Sequence, residues 1–284
     1  MSMIVNTNVM SLVAQTNLNN TTNKLNNAIT QLSSGLRINS AMDDPAGLAI
    51  GTAMQSQVNG MNQGIINANQ AVSMAQVADG AMGSVSNMLQ QMRTLAVESA
   101  NGTNNASAMS NLDAEYQQLA AQITNTLKNT QFNGTAVFDQ TTTGGVSYQV
   151  GANTFDVINV ALGSAGSTLA TDTALQTGSS NLGDITSSAN ATTAIAAVDK
   201  ALGDLNSARA QNGAYEIQFQ QVVASQQINS QNTAAAESQI MDTNYAQATS
   251  ALTQAQIVQQ AGTAMLTQAN NIPQSVLSLL SKLP

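Results

Sequence analysis

Met54, Met61, Ala68, Ala75, Met82, Leu89 and Ala96 recur at every seventh position. Seven residues make two turns of an α-helix, whereas a strand needs a period of two. The repeat therefore commits this stretch to a single helix of ~60 Å. Val58, Ile65 and Val72 lie four residues after members of the series, then Ala78, Val85 and Met92 lie three after. The apolar stripe thus drifts along the helix. Asp44 suits an N-cap and Pro45 the first helical position. The other prolines are 273 and 284, so nothing breaks the helices between. Gly60, Gly64, Gly80 and Gly83 weaken this helix intrinsically, and packing must hold it straight.

Both ends of the chain carry similar seams. A first helix over about 5–35 has Leu18, Leu25 and Leu32 on one face with Thr21, Ala28/Ile29 and Leu36 interleaved, closed by the small pair Ser34-Gly35. A last helix over about 243–270 carries Ala248, Ala251, Ala255, Val258, Gly262, Met265, Ala269 and Ile272 in 3/4 alternation. The spacing predicts its end near Pro273, with a helical apolar tail at Val276, Leu277, Leu279 and Leu280. Seams of this kind need partner helices. A chain with a seam at each end is built to assemble.

Between the ends, Asn101-Gly102-Thr103-Asn104-Asn105 reads as a turn. A third helix follows, with Leu112, Tyr116, Leu119, Ile123 and Leu127 on one face, folding back on the second. After Asn133-Gly134 the period becomes two: residues 146–150 and 155–160 read as short strands around a turn. Residues 161–190, rich in Gly, Ser and Thr, read as surface loops and minor strands. Helical spacing returns at Ile195, Val198, Leu202, Leu205 and Ala208 and continues through Tyr215, Phe219 and Val222. The expected fold is mainly α, a long antiparallel coiled-coil-like helix bundle with a small β-hairpin insert at the far tip. Its two ends lie together as an antiparallel pair.

Composition narrows the chemistry. Charged residues are 8% of 284, and the net charge is -8, so no basic stripe exists to displace counterions from nucleic acid. Aromatics are 3%, which suits close helix packing better than a thick core. Asn, Gln, Ser and Thr supply the polar surface, and neutral faces let copies pack without desolvating ions. With no Cys and no His, disulfides, thiolate sites and imidazole shuttles are excluded. Asp43-Asp44 fits capping better than cation binding. Asp113 and Glu115 lie two apart and do not share a helix face, so they make a poor acid/base pair. No catalytic site, metal or cofactor is expected. No run of about 18 apolar residues crosses a membrane, and the start MSMIVNTNVM shows no cleaved secretory signal.

Several long words then resemble one family. Residues 32–41 (LSSGLRINSA) followed by 43–50 (DDPAGLAI) resemble the N-terminal signature of bacterial flagellin. Residues 67–69 with 78–82, 93–97 with 100–104, and 131–134 (QFNG) are similar to the family's following words, and 148–153 (YQVGAN) to its hairpin. At the other end, 242–246 (DTNYA), 255–263 (AQIVQQAGT), 268–270 and 273–280 (PQSVLSLL) match as well. The resemblance covers all but roughly residues 160–190.

It implies a structural filament subunit, a homo-oligomer of many copies lying outside the cell in the bacterial flagellum. Residues 1–43 and 241–284 would line the inner tube. Residues 44–140 and 191–240 would form the halves of the outer helical domain, and 141–190 the hairpin with a short solvent-facing insert. Leu18, Leu25, Leu32, Ala255, Val258, Gly262, Met265, Ile272, Val276, Leu277, Leu279 and Leu280 would carry assembly. The filament cap, junction proteins and an export chaperone would be partners. The resemblance also implies an animal Toll-like receptor site at Gln90, Gln91, Arg93, Leu95 and Glu115. There Gln91 and Thr94 replace an Arg and a Glu of strongly recognised members, which weakens recognition. Rival readings are a hook–filament junction protein and a type III secreted helical effector or adhesin. A zinc protease insert would need the histidines that this chain lacks.

Overall fold

The computed structural model describes residues 7–138, 146–160 and 183–280, with the backbone alone for 274–280. In chain order the elements are α1 (Val9–Ser34), α2 (Pro45–Ser99), α3 (Ala106–Asn129), β1 (Gln131–Phe132), β2 (Thr135–Ala136), β3 (Val146–Gln149), β4 (Val157–Val160), α4 (Ser188–Met241) and α5 (Tyr245–Leu280). They form two compact units, residues 56–231 on one hand and 1–55 with 232–284 on the other. Most of the loop segment expected at 161–190 lies outside the described residues.

In the larger unit the seven-residue series of α2 is buried from Met61 to Ala96. Its members Ala68, Met82, Leu89 and Ala96 share one core with Tyr116, Ala120, Ile123 and Leu127 of α3 and with Val198, Ala201, Leu205 and Phe219 of α4. The Asn101–Asn105 turn returns the chain, and Asn105 caps α3 by accepting from the Ala108 amide at 2.8 Å. Helices α2 and α4 run antiparallel. Arg93 pairs with Asp199 (2.6 Å), Arg209 with Asp79 (2.9 Å), and Asn212 Nδ2 donates to the Ala75 carbonyl at 2.8 Å. Ser230 then donates to Asn62 at 3.0 Å. The two ion pairs are exposed and stabilise little. Buried Asn212 matters more, because a slip of register would strand its Nδ2 donor in addition to its Oδ1, which has no partner among the described residues.

The hairpin is an antiparallel pair with Val146 opposite Val160 and Gln149 opposite Val157. A smaller one, β1–β2, surrounds Asn133-Gly134, both at positive φ (51° and 78°), as a two-residue hairpin turn requires. The position of the larger hairpin differs from expectation. It lies along residues 60–74 of α2, well before the end of that helix. Asn67 donates to the Gln149 carbonyl at 2.9 Å, and the Tyr148 hydroxyl donates to the Met74 sulfur. Tyr148 also meets Phe219 edge-on, centroids 5.5 Å apart.

The reason lies in two of the glycines. A Cβ on Gly64 would sit 2.5 Å from the Val150 carbonyl, and one on Gly60 would sit 2.7 Å from the Ala152 side chain. These glycines form a seat for the hairpin's turn. No atom of the described residues lies within 4 Å of where a Cβ on Gly80 or Gly83 would stand. The helical expectation also changes at Pro273, where α5 continues to Leu280.

Two outcomes follow from these contacts. Gly64→Ala should destabilise the soluble chain by about 1–3 kcal/mol through overpacking. Gly80→Ala should stabilise it by about 0.5–1 kcal/mol through helix propensity; urea unfolding followed by circular dichroism reads both. Burial also raises the Tyr116 phenol's pKa, with the nearby Asp113 charge adding to it. The unfolded phenol ionises near about pH 10, so this contribution to stability is complete below that pH and falls away above it. Unfolding of Tyr116→Phe should show a shallower alkaline loss than that of the wild type.

Candidate functional site

The smaller unit is built around α1 and α5. Asn8 caps α1 by accepting from the Ser11 amide at 3.1 Å, and Gly35 closes it in the left-handed conformation (φ 75°), its amide donating to Gln31. Only a residue free of a Cβ adopts that conformation cheaply. The strand-like link beyond it pairs with the α4–α5 connection. Arg37 N donates to the Met241 carbonyl at 2.7 Å, and Thr243 N to the Gly35 carbonyl at 2.9 Å. The Arg37 guanidinium donates to the Ile240 carbonyl through Nε at 3.1 Å and Nη2 at 2.6 Å. A cation thereby sits on the open carbonyls at the end of α4, where the helix dipole favours it.

On the α2 side, Asp43 accepts from the Asn39 and Ser40 amides and the Ser40 hydroxyl, which hold its pKa below the ordinary aspartate range. Asp44 caps α2 through the Gly47 amide at 2.9 Å. Asp44 is thus a helix cap, whereas Asp43 ties the turn that precedes it. Asn244 opens α5, accepting from the Ala246 and Gln247 amides.

From these anchors α1 and α5 run antiparallel. Asn8 reaches Ala269, Leu18 lies 3.4 Å from where a Gly262 Cβ would stand, and Gly35 bonds Thr243. The seam is made of small residues. Ser11, Thr21 and Ala28 are buried from α1, and Ala248, Ala255 and Ala269 from α5, with Leu18, Leu25, Leu32, Leu252, Gly262 and Leu266 half-buried beside them.

The second set of positions expected in the α5 seam lies elsewhere. Val258, Met265 and Ile272 are 47%, 63% and 38% exposed, and Ala251 is exposed too. Leu252, Gln259, Leu266 and Pro273 take their places toward α1. Helix α5 carries two apolar faces side by side, one residue out of phase, and a 3/4 alternation reads them as one. Helix α1 likewise leaves Val9, Met10, Leu12, Val13 and Ile29 exposed. Lys24 is the only charged residue within these two helices. Val276, Leu277, Leu279 and Leu280 lie where the structure describes no side chains.

The receptor-like residues fall in the larger unit. Gln90, Gln91 and Arg93 are exposed on α2, Leu95 is half-buried, and Glu115 is exposed on α3. Arg93 is forked onto the Asp199 carboxylate at 2.6 and 3.4 Å, which raises the pKa of its guanidinium. Sequence spacing gave no sign of Asp199, nor of Arg37 reaching Ile240, since both partners lie far along the chain. Among the described residues no cluster of three or more acidic, His or Cys side chains could hold a metal. None of the described helices is long and apolar enough to cross a membrane.

Residues 5–143 match the family model of the bacterial flagellin N-terminal helical region, and 195–280 that of its C-terminal helical region. The chain belongs to the bacterial flagellins. It is 39% identical to the flagellin of Halalkalibacterium halodurans over 98% of its own length and 100% of that protein's. It is 36% identical to the flagellar filament 33 kDa core protein of Treponema phagedenis, over 98% and 100% of the two chains. A solved putative flagellar hook-associated protein from Vibrio parahaemolyticus shares the fold at 14% identity, with a TM-score of 0.51 over 70% of this chain and all of that one. The chain is thus a structural subunit of the flagellar filament, a homo-oligomer located outside the bacterial cell.

Proposed function

We propose that this flagellin polymerises through the apolar faces that α1 and α5 leave exposed beside their shared seam. The observation that carries the reading is the exposure of Val9, Met10, Leu12, Val13 and Ile29 on α1 and of Ile257, Val258, Met265 and Ile272 on α5, a helix pair with a single charge. Each side chain of that size contributes about 1.5–3 kcal/mol when fully buried. Several copies docking at once can therefore exceed the entropic cost of association, roughly 4–15 kcal/mol. Contacts between unlike surfaces that do not close on themselves generate an open helix, hence a filament.

In this reading residues 1–43 and 241–284 form the inner tube, 44–140 and 191–240 the outer tube, and 141–190 the outward-facing insert. Leu18, Leu25, Leu32, Ala255 and Gly262 hold the helix pair in shape. Val258, Met265, Ile272, Val276, Leu277, Leu279 and Leu280 meet neighbouring copies. Export through the flagellar channel, a chaperone over the terminal helices, and contact with cap and junction proteins complete the reading. The same exposed faces support it, because they need cover before assembly.

A chain ending at Asn271 should fail to form filaments in a sedimentation assay; pelleting equal to that of the full chain would refute the role of the C-terminal turns. Val258→Asp and Met265→Asp should also block pelleting, yet leave the urea midpoint of the soluble chain unchanged, since both positions are exposed.

Recognition by a Toll-like receptor is reduced in this reading, because Gln91 lacks a bidentate fork and Arg93 spends its own on Asp199. Gln91→Arg should raise the response of receptor-reporter cells severalfold. A wild-type response equal to that of a strong agonist would count against it.

A further inference from the structure

Helix α5 runs through Pro273 to Leu280, although proline has no amide to donate and its ring crowds the preceding turn. In an unbroken helix the amide of residue 273 would serve the carbonyl of residue 269. That carbonyl therefore loses its helical partner. Ala269 is buried in the seam against α1, and an unpaired carbonyl there would be costly. The structure supplies a substitute from the other end of the chain, 261 residues away: Asn8 Nδ2 donates to the Ala269 carbonyl at 2.8 Å. The same side chain's Oδ1 accepts from the Ser11 amide at 3.1 Å and caps α1. One amide group thus satisfies an open donor at the start of one helix and an open acceptor at the flaw in the other.

We propose that Asn8 is a clasp that makes the final turns of α5 depend on α1 being folded against them. With α1 in place, the gap in the hydrogen-bond ladder at Pro273 is filled and the helix carries on to Leu280. With α1 absent, the gap reopens and the segment beyond the proline is released. The two ends of the chain therefore order together, and neither presents a finished surface before the other.

The side chain of choice is Asn because both halves of its amide are used. Aspartate caps a helix equally well but cannot donate to a carbonyl. Asn8→Asp consequently separates the two roles, keeping the cap and losing the clasp. Pro273→Ala restores the missing amide, and the Ala269 carbonyl then needs no help from α1.

The test is hydrogen exchange of the backbone amides at 274–280 in the full-length chain, read by mass spectrometry on the pelleted and the soluble fractions separately. Asn8→Asp should speed exchange roughly three- to tenfold, the range of one neutral hydrogen bond. In the Pro273→Ala background the same change should alter exchange by less than about twofold, because the carbonyl is already paired. Equal acceleration in both backgrounds overturns the clasp, as does no acceleration in either. So do wild-type amides that exchange at the unfolded-chain rate in both fractions. A wild-type chain that never pellets counts instead against the assembly reading, and the exchange comparison in the soluble fraction still decides the clasp.

Discussion

Close approach of α1 and α5 along a stripe of small residues is the constraint on which the terminal unit depends. Ser11, Thr21 and Ala28 face Ala248, Ala255 and Ala269, and Gly262 admits Leu18 at van der Waals distance. Small side chains bring the two backbones near enough for Asn8 to reach across to a carbonyl. They also bury little apolar area, so the pair gains limited stability from its own seam. The larger apolar side chains are left exposed on the flanking faces. Weak self-burial and strong outward apolarity come from one distribution of residues.

The larger unit solves the opposite problem. Its core takes in whole side chains of Met82, Leu89, Met92, Tyr116, Ile123, Leu205 and Phe219, and buried Asn212 fixes register at the Ala75 carbonyl. Glycines serve different ends within α2. Gly60 and Gly64 give up helix propensity so that the hairpin's turn can lie against the backbone, while Gly80 and Gly83 have no such neighbour among the described residues.

Capping recurs at nearly every junction of the smaller unit, and two of the contacts to open helix carbonyls come from a distance. Asp44 and Asn244 cap locally, but Arg37 closes α4 and Asn8 repairs α5. A chain with so few charges has little long-range electrostatic attraction to organise its ends. Hydrogen bonds to exposed helix termini take over that task, and they are directional where a salt bridge between mobile surface side chains is not.

By itself the sequence determined the helices, because period and punctuation are local. The seven-residue series predicted α2 with its start at Pro45, Ser34-Gly35 predicted the end of α1, and alternation predicted the hairpin. The words at the two ends were long enough to carry the family. Tertiary structure alone decided three things. It moved the hairpin from the tip to the Gly60–Gly64 seat, since a contact between backbones leaves no periodic trace. It split the α5 stripe into a face toward α1 and a face toward solvent, since Leu266 and Met265 are similarly hydrophobic and polar Gln259 even lies nearer α1 than Val258, so only the partner's position separates the faces. And it carried α5 through Pro273, since the acceptor that proline leaves open is filled by a residue 261 positions away, beyond the reach of any local rule.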